Sequence, residues 1–406
     1  MSKASLLNVD TALSQMLGRL SPIGTEVIPT TEALGRVTRT KIRANLSQPP
    51  FHASAMDGYA VRHEDIQNLP ATLTVIDEIP AGVIPTKSIT TGQAMRIFTG
   101  APLPDGADTV IMQESTTSTG QHVTIHKGAD LGCNIRRCGN DFAKNEMLIA
   151  DGHYLQPRNL GLITAANVPH VTVTRKPRVA LLATGDELVP LGQPAGPGQI
   201  VSSNTILLTA LLNAQGADVI DLGIAPDDED GLRIMSRDVR DVDLFVTIGG
   251  ASVGDHDLVQ KVLKGEGLDV DFWRIAMKPG KPLIFGHFRD IPMLGLPGNP
   301  ASAFVCALIF LLPALFKIQG RMDTSLPIHY YPLAHDLPEN GPRQDYKRGQ
   351  LHPSVDGHAV VHTAAQQDSA KLSVVSAADC LVIRPPHAPA VVAGTMVPVI
   401  PFDDLI

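Results

Sequence analysis

Four short loops hold most of the residues that could do chemistry: Thr184-Gly185-Asp186-Glu187-Leu188, Pro226-Asp227-Asp228-Glu229-Asp230, Ser252-Val253-Gly254-Asp255-His256-Asp257 and Lys278-Pro279-Gly280-Lys281-Pro282. Carboxylates gathered from several loops repel one another unless a cation sits among them. Hard oxygen donors select Mg2+, which is held by one or two carboxylates together with ligand phosphates. Lys278 and Lys281 would supply the complementary anion clamp, and backbone amides at Gly-rich turns and helix N-termini favour anions as well. The combination is that of a phosphate-plus-divalent-metal site. Each loop alone has a plainer reading: a helix N-cap for the first, an acidic surface loop for the second and a solvated turn for the fourth. His256 alone reads as a hydrogen-bonded loop residue, since no second His stands at ligand spacing.

What favours chemistry is where these loops fall. Three apolar runs, Leu244–Ile248, Leu283–Phe285 and Met293–Leu296, each lie beside a loop dense in Gly and Pro, which reads as strands delivering polar loops to one rim. In an open α/β sheet that rim is where ligands bind. Upstream, Arg178–Thr184 reads as a buried strand and Ser203–Ala217 as a helix with Ser203 or Asn204 near its cap and Gly216 at its end. Asp218–Ile224, a helix to about Arg240 and Asp243–Gly250 repeat the cycle. The expectation is a doubly wound parallel sheet with right-handed crossovers over residues 178–325.

The rest of the chain has a different rhythm. Residues 8–20 carry Val9, Leu13, Met16, Leu17 and Leu20 on one helical stripe, and Pro157–Val168 reads as a second helix opened by proline. Between them lie short β-like pieces interrupted by two turn-rich stretches, PPFHASAMDGYAV and FTGAPLPDGAD. The expected fold class is therefore α/β plus β in several domains. A discontinuous helical domain (1–26 and 146–177) carries an inserted β domain (27–145), and a β-barrel (326–406) follows the α/β domain.

Composition narrows the function. The chain has 406 residues, a formal net charge of −8 and no basic stripe, which argues against a nucleic-acid partner. Four cysteines without a C-x-x-C pair suit a reduced cytoplasm, and the start lacks the apolar core of a secretory signal. The apolar run Ala301–Phe316 contains Pro313 and falls short of the roughly 20 residues that span a bilayer; it reads as a buried helix, with no membrane partner implied. Neither a G-x-S-x-G elbow nor a G-x-x-x-x-G-K-[ST] phosphate loop is present. Group transfer would then rest on metal and electrostatics rather than a covalent intermediate.

Taken together and in order, SAMDGYA, FTGAPLPDGAD, TGDEL, GGASVGDHD, KPGKP and GLPGNP closely resemble the molybdopterin molybdenumtransferase family, a relative of which forms the C-terminal part of gephyrin. The resemblance spans essentially the whole chain. It implies an elongated homodimer whose active site lies between the α/β, molybdopterin-binding domain of one subunit and the inserted domain of the other. It also implies Mg2+ as cofactor, with adenylylated molybdopterin and molybdate as substrates, AMP being cleaved off as molybdenum joins the dithiolene.

Carried over by motif, the catalytic positions are Asp57, Thr99, Glu187, Asp227 or Asp228, and Asp257, with Glu187 and Asp257 as metal ligands. The substrate-binding positions are Gly100, Ser252, Lys278, Lys281, Pro297, Pro300, Ser302 and Arg348. Arg343 and Asp141 also match family positions, each with a plain surface or turn reading beside it. One departure is Asp368-Ser369-Ala370, where the family usually has Gly-Ser-Gly. Transient contact with a molybdopterin adenylyltransferase is a further implied partnership. Two alternatives are such an adenylyltransferase, which would need neither the inserted domain nor the barrel, and a non-catalytic gephyrin-like scaffold, which would not need the acidic residues.

Overall fold

The computed structural model describes residues 6–250, 258–354 and 357–405. At its centre is a six-stranded sheet in the order Asp218–Ala225, Arg178–Thr184, Leu244–Ile248, Ile291–Leu296, Ile284–Phe288, Leu268–Trp273. Alternate residues of Arg178–Thr184 feed opposite faces: Val179 and Leu181 enter one core, Ala180 and Leu182 the other. Helix Asn204–Ala214 and the long helix Pro300–Gln319 cover the first face, and Glu229–Ser236 and Leu258–Gly265 cover the second. Burying both faces is what makes these strands read as continuous apolar runs.

The sheet is not wholly parallel, contrary to expectation. Its first four strands are parallel, whereas Ile284–Phe288 is reversed, running antiparallel to both of its neighbours, Ile291–Leu296 and Leu268–Trp273. The cause is the two-residue turn Arg289-Asp290, both residues at positive φ (49° and 69°), which is the hairpin geometry that joins antiparallel neighbours. The Lys278–Pro282 loop therefore leads into a strand rather than out of one. Because that strand is reversed, the loop still lies on the rim formed by the carboxyl ends of the parallel strands.

Helix Pro300–Gln319 is long and apolar enough to cross a membrane, yet 94% of its most apolar stretch is buried within the chain. A wider π-type turn at Ala307–Leu311 precedes Pro313, and such a turn accommodates a residue that has no N–H to donate.

Helix Val9–Gly18 buries Val9, Ala12 and Met16 in the same core as Leu181 and Leu208, so it packs on the α/β unit. The second helix, Pro157–Ala165, packs Ile163 against Ile28, Ile42, Ile149, Val171 and Val173. Those residues come largely from paired strands, Thr25–Pro29 with His170–Thr174 and Ile42–Arg43 with Met147–Ile149. The unit expected to be helical is thus mixed, and it reaches inward as far as Ala44 and Phe142, which share a core with Ala166.

From it projects the inserted β unit, linked by the pairing of Ala53–Ser54 with Ile135–Arg136. Its sheet runs Thr109–Met112, Gly58–Val61, Gln93–Ile97, Ala71–Ile79, His122–Ile125, Thr116–Thr119, with a core on each face. Gly58 is required here, because a Cβ would collide with the Ile111 carbonyl.

In the C-terminal unit, strands Ala359–Thr363, Gln344–Pro353, Cys380–Arg384, Met396–Pro401 and His329–Pro332 pair in that order. A bridge from Leu333 to Val361 links the last strand back to the first. Met277–Lys278 of the α/β unit pairs in parallel with Gln344–Asp345, stitching the lysine loop to this unit.

Candidate active site

At the carboxyl rim of the central sheet lies a cavity of about 810 Å3, whose lining includes Glu187, Asp227, Lys281, Asn204 and the turn Pro297–Pro300. Glycines hold it open. Gly249, at φ +93°, brings the end of strand Leu244–Ile248 so close to its neighbour that a Cβ would lie 2.6 Å from the Thr184 carbonyl oxygen. Gly185, at φ +146°, leaves room for the Glu187 carboxylate. A smaller pocket of about 480 Å3 adjoins it, sharing Gly185, Leu188 and Ser202, with Leu191, Ile206, Ile224 and Asp221 on its walls.

The two aspartates of the Pro226–Asp230 loop divide their roles. Asp228 caps helix Glu229–Ser236 by accepting a hydrogen bond from the Gly231 amide at 2.7 Å. Asp227 lines the cavity, and its own amide donates to Asp186 Oδ1 at 2.9 Å. Burial is the largest influence on the Asp227 carboxyl and raises it above the ordinary carboxylate range. A hydrogen bond from the Asp186 backbone partly offsets this, and the charges of Asp186 and Glu187 add to the rise. A carboxylate close to two others fits a bound cation, although among the described residues no three acidic, His or Cys side chains form a closed cage. Mg2+ would not need one, since it keeps several waters and substrate oxygens. Ser252, Asp255, His256 and Asp257 lie outside the described residues.

Of the two lysines, Lys281 lines the cavity, while Lys278 Nζ lies 3.8 Å from Asp345 Oδ2. Pro297 and Pro300 are on the lining, whereas Ser302 is buried just inside the helix that Pro300 opens. Arg348 differs most from its expected place. It is 1% exposed, and its guanidinium donates to the carbonyls of Tyr346 (3.4 Å) and Asp368 (3.3 Å). Burial draws its pKa down, opposed by the carboxylates of Asp345 and Asp368. Through Asp368 it supports the Asp368-Ser369-Ala370 loop, which crosses to the α/β unit: Ser369 O accepts from the Ala301 amide at 3.0 Å, Asn299 Nδ2 donates to Ser369 Oγ at 3.0 Å, and Ala370 reaches the cavity. Arg343 donates to Met277 O at 3.4 Å, and Asp141 is exposed, its amide donating to Gln48 O.

Asp57, Thr99 and Gly100 form a second polar centre on the inserted unit. Asp57 Oδ1 accepts from both the amide and the hydroxyl of Thr99, each at 2.8 Å. These two bonds, the amide's first, hold the Asp57 carboxyl below the usual range. Gly100, at φ +84°, turns the chain there. None of the three lines the cavity of its own chain.

Asn204 was legible only as a helix-start residue. In the structure its Nδ2 donates to Gly298 O at 2.7 Å, tying the cavity's two sides, and Ser203 makes no side-chain cap bond. Spacing carries no signal for a contact across 94 residues.

Fold and cavity define a multidomain α/β protein with an acidic rim that also presents a cation and a helix N-terminus. Residues 7–167 match the MoeA N-terminal region (domain I and II), residues 180–317 a probable molybdopterin binding domain, and residues 330–402 the MoeA C-terminal region (domain IV). A molybdopterin molybdenumtransferase of Haemophilus influenzae is 36% identical over 405 residues, covering 99% of this chain and 100% of that one. Another from Nostoc sp. is 39% identical over 354 residues, covering 85% and 81%. A crystal structure of a molybdopterin biosynthesis MoeA protein from Pyrococcus horikoshii is similar over 98% of this chain and 100% of that one, with a TM-score of 0.85 at 28% identity. The chain belongs to the molybdopterin molybdenumtransferase family.

Proposed function

We propose that this protein is a transferase that inserts molybdenum from molybdate into adenylylated molybdopterin, releasing AMP with the help of Mg2+. The observation that carries the reading is the meeting of Glu187, Asp227, Lys281 and the Pro297–Pro300 turn around one cavity. Lys281 and the start of helix Pro300–Gln319 suit phosphate or a tetrahedral dianion. Glu187, with Asp257, would hold Mg2+, which supplies Lewis-acid stabilisation of the phosphate oxygens during phosphoanhydride cleavage. Asp227 faces the same space, and Asp228 acts through the helix it caps.

The working unit in this reading is a cytoplasmic homodimer, in which Asp57 and Thr99 of one copy complete the cavity of the other. Two features support it: the Asp57–Thr99 pair lies off the lining of its own chain's cavity, and apolar side chains stand exposed beside the rim at Leu191, Ile200 and Ile206. Transient contact with the adenylyltransferase that makes the substrate fits the same scheme.

Mixing inactive subunits tests it. Asp57→Ala and Glu187→Ala should each abolish turnover with the dimer intact. Unfolding and refolding them together should restore about a quarter of wild-type activity, because half the dimers are mixed and each mixed dimer keeps one whole site. No recovery on mixing would contradict a shared site.

A further inference from the structure

We infer that Asp345 is a positioning residue that sets the cavity's affinity for anions by holding Lys278; the inference rests on the transferase reading for the identity of the anion. Asp345 is only 2% exposed. The parallel pairing of Met277–Lys278 with Gln344–Asp345 places the lysine beside it. Lys278 Nζ is 3.8 Å and Lys347 Nζ 3.2 Å from the same oxygen, Oδ2, while Oδ1 is buried with no hydrogen-bond partner among the described residues. The guanidinium groups of Arg348 and Arg384, themselves almost fully buried, also feel this carboxylate. A single carboxylate thus pairs with two ammonium groups in a site whose two buried guanidinium groups it also influences.

A buried carboxylate normally fills its lone pairs with hydrogen bonds. Here one oxygen carries both ion pairs, the closer to Lys347, and the longer pair's partner, Lys278, remains half exposed. The loop is closed by the Ile275 amide donating to Lys281 O at 2.9 Å, so Lys278 shares a tight turn with the lysine that lines the cavity. Lys278 therefore has two competing claims on it, Asp345 and an anion at the rim. Removing the Asp345 charge should tighten anion binding, which is opposite in sign to the effect of damaging the fold.

The test is equilibrium dialysis of the full-length protein with molybdate and, separately, with sulfate as an unreactive tetrahedral dianion. The proteins compared are wild type, Asp345→Asn, Lys278→Met and the double variant. Asp345→Asn should bind both anions about three- to tenfold more tightly, and the gain should vanish in the Lys278→Met background. Weaker or unchanged binding, a gain that survives Lys278→Met, or no anion bound by any variant would each overturn the inference. If Asp345→Asn does not fold, Lys347→Met serves: with its competitor gone, Asp345 should hold Lys278 harder and weaken both anions about threefold, and no change there overturns the inference. AMP release is measured on the same preparations. Sulfate effects without AMP release would sink the transferase reading alone, and normal AMP release with an indifferent Asp345→Asn would sink this inference alone.

Discussion

Gly249 offers the sharpest test of how the cavity is built. A Cβ at this position would lie 2.6 Å from Thr184 O and 3.1 Å from Thr184 Oγ1, and φ is +93°. Holding a non-glycine residue at positive φ costs about 1–2 kcal/mol. Forcing apart a backbone carbonyl that also ends a paired strand adds about 1–3 kcal/mol, giving about 2–5 kcal/mol for Gly249→Ala. For a unit of this size about 1 kcal/mol moves the melting midpoint by ~2–4 °C, so a drop of roughly 4–20 °C is expected. Gly298 is the control, since it lines the same cavity but its Cβ would meet nothing nearer than Gly249 Cα at 3.5 Å, and its φ is not in the left-handed region. Gly298→Ala should leave stability unchanged or raise it by about 0.4–1 kcal/mol. Differential scanning calorimetry of both variants, with turnover measured alongside, gives the comparison. Equal midpoints for the two, or a Gly249→Ala protein that melts and turns over like wild type, would refute the reasoning.

Further outcomes follow from the carboxylates. Because Thr99 holds the Asp57 carboxyl low, Asp57 favours folding above its unfolded value, and that benefit fades as pH falls through the lower folded value. Thr99→Val should therefore move the acid limb of the pH–rate profile upward, which a rate series across acidic buffers would detect. Asp227 has the opposite sign. Its raised carboxyl costs stability once pH exceeds the unfolded value, and the cost is complete above the folded one; Asp227→Asn should raise the melting midpoint at pH 7 but not at pH 3, while cutting turnover by about 100-fold or more. Asp228→Ala should lose about 1 kcal/mol as a missing cap and keep turnover within about twofold, as parallel melting and rate measurements would show. Chelation of divalent cations should stop AMP release and excess Mg2+ should restore it, followed by chromatographic assay of AMP.

Much of the site was legible in the sequence because it sits on short loops next to strands whose apolar runs are unmistakable. Glu187, Asp227 and Lys281 were placed on one rim for that reason, and they meet there. The reversal of Ile284–Phe288 was not legible, since the hairpin turn is Arg289-Asp290 rather than the Asn-Gly that signals such a turn. The stripe on Val9–Gly18 showed that this helix is buried but not against what, and long-range packing joins it to the α/β core. Arg348 was expected to bind substrate; instead it is buried in strand Gln344–Pro353 with its guanidinium on the carbonyls of Tyr346 and Asp368, a long-range arrangement that motif spacing does not show. Which aspartate of a pair caps a helix and which faces a cavity depends on the first turn of Glu229–Ser236, a detail of φ and ψ beyond the reach of spacing. Asp57 and Thr99 pair across 42 residues, and if they act across two copies no single-chain pattern could have joined them to Glu187.

The most direct measurement is AMP release from purified adenylylated molybdopterin by the full-length protein, with Mg2+ and with or without molybdate. Release that depends on molybdate and yields active molybdenum cofactor is the expected result. No release under any metal, or release that leaves the pterin without molybdenum when molybdate is present, would contradict the proposed transferase.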